Sequence, residues 1–276
     1  MSETARAHVG AVGALIERTR GGRGDVVLDT LAIEAPLELR VEGEPLATLM
    51  RTPGDDEVLA LGFLLSEGLI DGLDDVRGLA HCTEPAQREP GNVLHVRLAE
   101  GVDRAAISAA AGQRRLLAGS ACGVCGRATI DDLLARLRPL SPRPWPAAET
   151  VQARARALRA TQSLFELTGG VHGAALFDRY GALLAAHEDV GRHNAVDKVL
   201  GARLRLGAPL SEHDDETLVV SSRAGFEIVQ KAVAGRVPVV VTVGAATSLA
   251  DALARAANVR LFSFVRDAGF NRHGDG

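Results

Sequence analysis

The alternation in the second half of the chain does most to fix its fold. Thr217 to Ser221, Pro238 to Val243 and Arg260 to Val265 are short, apolar and rich in valine, and each reads as a strand. Phe226 to Ala234 and Ser248 to Ala257 lie between them and read as helices. Strands that are apolar on both faces must be covered on both faces, so the pattern predicts an α/β sheet with helices on either side. Upstream, Ala174 to Phe177 and Leu183 to Ala186 read as short strands around an Asp178-Arg179-Tyr180-Gly181 turn, followed by a helix from Gly191 to Leu206. Glu149 to Leu167 reads as one long amphipathic helix ended by Gly169-Gly170.

The first half has a different grammar. A strand-like pattern runs from Val26 to about Arg51, where Leu37, Leu39 and Val41 alternate with Glu38, Arg40 and Glu42, and Gly43 marks a hairpin turn. Thr52-Pro53-Gly54-Asp55-Asp56-Glu57 opens a helix that runs towards Gly68, with acids in its first turn. Val93 to Leu98 is a strand, Asp103 to about Gln113 a short helix and Thr129 to Arg138 another helix. The opening residues end in Arg20-Gly21-Gly22-Arg23-Gly24 and read as a loose arm. Pro139, Pro142, Pro144 and Pro146 surround Trp145 in a connector that no helix tolerates. The expected organisation is a flexible arm over 1–24, a smaller β-rich α+β domain over 25–118, a flexible cysteine loop over 119–127 and an α/β domain over 128–276.

Composition removes several classes. The net charge of -4 argues against a general nucleic-acid binder, which carries a basic surplus. Three cysteines, an odd number, do not make a disulfide framework and suit a reducing compartment. The first twenty residues lack the apolar core of a secretory signal, and no run has the ~18 apolar residues of a membrane span, so the expected location is the cytoplasm.

Two of those cysteines stand in Gly119-Ser120-Ala121-Cys122-Gly123-Val124-Cys125-Gly126. A thiol reacts as its thiolate, and a Cys-x-x-Cys pair set among glycines is exposed and able to lower the pKa of one member. Three chemistries are open to it: zinc ligation, disulfide cycling, or carriage of a sulfur atom as a persulfide. Structural zinc takes four ligands, and only His81 and Cys82 stand near enough in type to complete a set. Cys82 reads more simply as a buried small hydrophobe.

Three strand-to-helix junctions carry polar groups. His187-Glu188-Asp189-Val190-Gly191-Arg192-His193-Asn194-Ala195-Val196-Asp197-Lys198 crowds titratable side chains where an open α/β sheet binds ligands, although a solvated helix start uses the same residues. Ser221-Ser222-Arg223-Ala224-Gly225 and Gly244-Ala245-Ala246-Thr247-Ser248 are small enough for backbone N–H groups to approach an anion, and Arg223 has the fork for a phosphate. Serine and threonine there also serve as plain helix caps. Neither GxGxxG nor a Walker A sequence is present.

Together, GSACGVCG, TGGVHGAALF, HEDVGRHNAVDKVLG, SSRAGFEIVQKA and VTVGAATSLADALA resemble the FdhD family of sulfur carrier proteins, in five blocks in the right order from about Asp29 to the end of the chain. The resemblance implies a sulfurtransferase that accepts persulfide sulfur from a cysteine desulfurase. It then passes the sulfur to the molybdenum bis-molybdopterin guanine dinucleotide cofactor needed by formate dehydrogenase. It makes Cys122 the persulfide cysteine and Cys125 its assisting partner. It places cofactor binding on Phe262, Ser263, Phe264, Val265, Arg266 and Asp267, and Arg192, His193, Lys198 and Arg223 are added as candidates for a phosphate cradle. It also implies a cytidine deaminase-like three-layer sheet with helices on both faces, a homodimer, and no catalytic metal of its own. Deaminase zinc needs a His-x-Glu followed by Pro-Cys-x-x-Cys. Here His172-Gly173-Ala174 lacks the carboxylate, and the cysteine pair comes before it. Gly173 stands where the family pattern leads one to expect alanine. A thiol-disulfide oxidoreductase, a zinc-binding scaffold and a nucleotide-binding chaperone are the competing readings.

Overall fold

A computed structural model describes residues 9–83, 89–103, 138–207 and 215–274. Cys122, Cys125 and the helices expected after Asp103 and from Thr129 lie outside the described residues.

The arm expected over 1–24 is, from Ala11 onward, a strand. β1 (Ala11–Arg20) and β2 (Arg23–Ala32) form an antiparallel ribbon around Gly21-Gly22. Both glycines have positive φ, as a two-residue hairpin turn requires. Among the described residues the ribbon pairs with no other strand, and Leu15, Val26 and Leu28 remain about three-quarters exposed.

β3 (Ala35–Val41) and β4 (Glu44–Arg51) meet at the expected Glu42-Gly43 turn. With β5 (Val76–His81) and β6 (Val93–Leu98) they make a four-stranded sheet in the order β4-β3-β6-β5. Leu37, Leu39 and Val41 are buried, as their alternation predicts. They face α1 (Asp56–Ser66), which is apolar almost all round because it is covered almost all round.

The proline-rich stretch has no regular structure and is pinned along its length. The Leu140 N–H donates to the Ala257 carbonyl, Asn258 donates to the Leu140 carbonyl, and Trp145 lies under both Arg260 and Arg272. The single long helix expected next is two: α2 (Ala148–Ala160) and α3 (Ser163–Thr168). The break has a distant cause. Glu188 accepts from the Leu164 and Phe165 N–H groups, both at 2.8 Å, so it satisfies the first turn of a new helix that starts where its carboxylate stands. Gly169 then ends α3 with φ 65°.

β7 (His172–Phe177), β8 (Leu183–Asp189), α4 (Arg192–Arg205), β9 (Thr217–Val220), α5 (Phe226–Ala234), β10 (Val239–Thr242), α6 (Ser248–Ala256), β11 (Arg260–Arg266) and β12 (Gly269–His273) complete the chain. Their strands form a six-stranded mixed sheet in the order β12-β11-β10-β9-β7-β8. The terminal strand β12, absent from the sequence reading, is a polar edge strand paired to β11. Side chains alternate across this sheet. Ala174, Leu176, Leu218, Val220, Val240 and Leu261 join the cluster containing α1, α4, α5 and α6, whereas Ala175, Phe177, Val219, Val241 and Phe262 pack with Val151 and Leu158 of α2. The sheet is therefore covered on both faces, as the apolar strands require. The fold is mixed α/β. Among the described residues no helix is long and apolar enough to cross a membrane.

Candidate functional site at the strand ends

β8, β9, β10 and β11 run in one direction, since β7 is antiparallel to both β8 and β9. Their C-terminal ends bring Asp189 to His193, Ser221 to Arg223, Val243-Gly244 and Val265 to Asp267 to a single edge, with His172 entering β7 beside them. That is where an open sheet offers helix N-termini and unpaired strand ends to a ligand.

The crowded junction is largely spent on the fold. Asp189 is fully buried: its carboxylate accepts from Lys198 Nζ at 2.8 Å, the Thr52 N–H at 3.1 Å, the Gly191 N–H at 2.9 Å and Asn194 Nδ2 at 3.0 Å. Lys198 also donates to the Thr52 carbonyl, and Asn194 to the Met50 carbonyl. The group fastens β8 and α4 to the end of β4. Lys198 is therefore corrected from phosphate ligand to partner of a buried carboxylate. Asp197, the residue just before Lys198, accepts from Lys231 and Ser66; burial pushes its carboxyl up, and the Lys231 ammonium opposes that.

At the edge itself His193 Nε2 lies 3.0 Å from Glu227, whose carboxyl is held below its usual range by that hydrogen bond. Among the described residues Arg192 and Arg223 keep their guanidinium groups unpaired. His172 is half-buried, and burial followed by the nearby Arg192 and His193 lowers its pKa. The junction thus supplies two arginines unpaired among the described residues, beside an imidazole whose charging is disfavoured.

On the opposite face of the sheet a cavity of about 630 Å³ opens beneath α2 and α3. Its apolar walls include Leu158, Phe165, Val171, Val243 and Val265; its polar lining comes from Gln152, Arg156, Arg159, Gln162, Ser221, Arg266 and Asp267, and from His172, which reaches it from the strand-end edge. The volume suits one small ligand or one arm of a larger one. Arg156 pairs with Asp267 at 2.8 Å, Arg159 lies over the Phe165 ring, and Arg266 donates to the Val243 and Val265 carbonyls.

The expected stretch from Phe262 to Asp267 divides accordingly. Val265, Arg266 and Asp267 line the cavity. Phe262 is core, edge-on to Trp145 and Phe270, and Ser263 is buried against His273. Phe264, at φ 52° beside an irregularity in the β11–β12 ladder, points to solvent. Sequence reasoning missed the wall from α2 and α3. Arg156 and Arg159 are three apart on a helix and looked like an ordinary wet face, and Gln162 carried no signal until the helix break was visible.

The sequence profile of the FdhD/NarQ family matches residues 32–273. A protein of Anaeromyxobacter dehalogenans (strain 2CP-C) named sulfur carrier protein FdhD is 51% identical over 96% of this chain and 93% of its own length. One of the same name from Mycolicibacterium paratuberculosis is 42% identical over 88% of this chain and 89% of its own. A crystal structure of a proposed formate dehydrogenase accessory protein from Desulfotalea psychrophila superposes with a TM-score of 0.73 over 96% of this chain and 97% of that one, at 23% identity.

Proposed function

Because the chain belongs to the FdhD/NarQ family, we propose that it works as its sulfur carrier relatives are named to do, by transferring sulfur through Cys122. The observation that carries this reading is likeness to named sulfur carriers over nearly the whole chain. The Cys122 thiolate attacks the outer sulfur of a persulfide on a cysteine desulfurase. The S–S bond of that persulfide breaks, and the desulfurase cysteine leaves as a thiolate. Cys122 then holds the sulfane sulfur. In delivery the Cys125 thiolate attacks Cys122 Sγ, and the terminal sulfur leaves as sulfide with the bonding pair. It becomes a ligand of molybdenum in the substrate, the bis-molybdopterin guanine dinucleotide destined for formate dehydrogenase. A Cys122–Cys125 disulfide remains, and a dithiol reductant of the cytoplasm resets it.

The strand-end edge suits that substrate. Arg192 and Arg223 on one side and Arg156, Arg159 and Arg266 on the other offer cations to its phosphates, and the cavity holds one arm of it. A net acidic chain does this because the local field governs binding. The homodimer belongs to the same proposal, with the apolar β1–β2 ribbon as the surface a second copy covers.

Incubation with a cysteine desulfurase and cysteine, followed by mass spectrometry, tests the core of the reading. The expected result is a sulfur adduct on Cys122 that is lost in Cys122→Ala. Absence of any adduct, or equal loading of Cys122→Ala, overturns it. A reversible disulfide without sulfur loading would favour the oxidoreductase instead.

A further inference from the structure

The β1–β2 ribbon ends in a turn that carries charge. Gly21 and Gly22, at φ 58° and 79°, make the two-residue turn, and Arg20 and Arg23 are the cross-strand pair that flanks it. Like charges set directly opposite one another repel. Two rungs down, Arg18 faces Asp25 and pairs with Asp29 at 3.2 Å. Arg20 and Arg23 have no such relief. Both are exposed, and neither has a hydrogen bond or an ion pair among the described residues. By the register they lie on the opposite face of the ribbon from Leu15, Val26 and Leu28, and five rungs, about 17 Å, beyond the Leu15–Leu28 pair. The apolar face proposed for a second copy is therefore not the face that carries them. The other end of the ribbon is rooted beside the cavity. A Cβ on Gly170 would stand 3.3 Å from that of Ala32, the last residue of β2. Gly169 and Gly170 line the cavity with Phe165 of α3.

We propose that the Arg20–Arg23 tip is a docking element for an acidic surface on the enzyme that receives the cofactor, formate dehydrogenase before its cofactor is in place. The choice of occupant rests on the proposed function, since the recipient is the partner that has to come to the cavity wall. The chemistry of its surface rests on the tip. A carboxylate between the two guanidinium groups accepts from both and cancels a repulsion that the ribbon leaves standing. The number of cations selects against polyanions. A DNA duplex is held by about 6–10 phosphate contacts, and an anionic membrane by about 4–8 clustered cations. The tip offers Arg20 and Arg23 alone, on a chain of net charge -4 that repels an extended polyanion. A compact acidic patch meets the tip and not the rest of the surface.

The test is biolayer interferometry between the full chain and formate dehydrogenase purified from a host that makes no molybdenum cofactor. The parent is compared with a double variant, Arg20→Glu with Arg23→Glu, and with the charge-keeping Arg20→Lys with Arg23→Lys. Melting curves and light scattering first establish that both fold and keep the parental assembly state. The parent is expected to bind. The glutamate variant binds at least about 10-fold more weakly at low salt, chiefly through slower association, and the lysine variant keeps most of the affinity. Parent and glutamate variant converge at about 1 M salt, where charges are screened within about 3 Å. Equal affinity of parent and glutamate variant at low salt, or no binding of the cofactor-free enzyme by the parent, overturns the proposal. Binding of a short DNA duplex or of phosphatidylglycerol vesicles that the glutamate variant loses, with enzyme binding unchanged, assigns the tip to a polyanion and overturns it too. A fall in persulfide loading by the cysteine desulfurase, with enzyme binding unchanged, assigns the tip to the sulfur donor and overturns the occupant. Loading of the parent on the same preparations tests the carrier reading separately. Its absence sinks that reading, and the salt-dependent binding still decides the docking element.

Discussion

Gly62 and Gly201 mark the point where α1 and α4 cross with their backbones in contact. A Cβ on Gly62 would lie 1.8 Å from the Asp197 carbonyl oxygen, and one on Gly201 would lie 1.9 Å from that of Val58 and 2.8 Å from the Gly62 nitrogen. Neither obstacle is a side chain that can turn aside. Gly62→Ala and Gly201→Ala are therefore each expected to lower stability by about 3 kcal/mol, the upper end for an overpacked core. Urea unfolding monitored by circular dichroism measures this. A loss under 1 kcal/mol, the size of an ordinary helix substitution, would mean the helices separate freely.

The Asp189–Lys198 pair makes a prediction that distinguishes structure from ligand binding. Removing one member leaves the other buried and uncompensated, so Lys198→Met should cost about 3–5 kcal/mol. Asp189→Asn combined with Lys198→Met should recover part of that, read as a coupling energy in a double-mutant cycle. If Lys198 instead served a phosphate, Lys198→Met would unfold at the parental denaturant concentration and lose only binding.

His172 sets an acid-side slope. Its folded pKa lies below its ordinary value because burial and the neighbouring Arg192 and His193 disfavour the imidazolium. As pH falls below about 6.5, the unfolded chain takes a proton that the folded chain refuses, so stability drops until the folded pKa is reached and is unaffected above that window. Asp55 and Glu227 act further down. Each carboxyl is lowered chiefly by its histidine hydrogen bond, so their stabilisation is complete above the ordinary carboxylate range and disappears as pH falls through the folded pKa. Melting temperatures of the parent and His172→Gln between about pH 7 and 5.5 should diverge, the parent falling further. Parallel curves would refute the assignment.

The ribbon predicts the assembly state. Leu15 and Leu28 are cross-strand partners on one face, and both are largely exposed. Contiguous exposed apolar patches mark interaction sites, and the proposed occupant of this one is a second copy. Light scattering after gel filtration should give a dimer for the parent and a monomer for Leu15→Asp with Leu28→Asp. A parent that elutes as a monomer at micromolar concentration removes the ribbon's proposed role.

The second half was legible because its strands are buried on both faces, and a continuous apolar run bounded by small residues has few other meanings. β9, β10, β11 and the helices between them fall within a residue or two of their expected ends. β1 was not legible because its half-covered face carries Ala14, Ile16 and Arg18 while the apolar Val12 and Leu15 lie exposed, so apolarity does not follow the face. β12 is short, polar and at an edge. The break at Gln162 depends on Glu188, a carboxylate far along the chain, so no local pattern announces it. The junction from His187 to Lys198 misled for a physical reason. A buried ion pair and a ligand site draw on the same residue types, and only burial tells Asp189 with Lys198 from a cradle. Arg266 and Asp267 were expected at a site and do line the cavity; Phe262 two turns of the pleat earlier is core.

The fastening of Thr52 to Asp189 and Lys198 has a consequence for the covalent chain. The amino-terminal sheet with α1 is attached to the larger sheet by the hydrogen bonds of Thr52 to Asp189 and Lys198, by Ser66 on Asp197 and by a glycine-to-backbone crossing, all made by residues before Asp103 with residues after Arg138. A single proteolytic nick between those two positions should therefore yield two fragments that co-elute under native conditions and part only in denaturant. Expressed from separate messages, the same fragments should find each other and reconstitute the molecule.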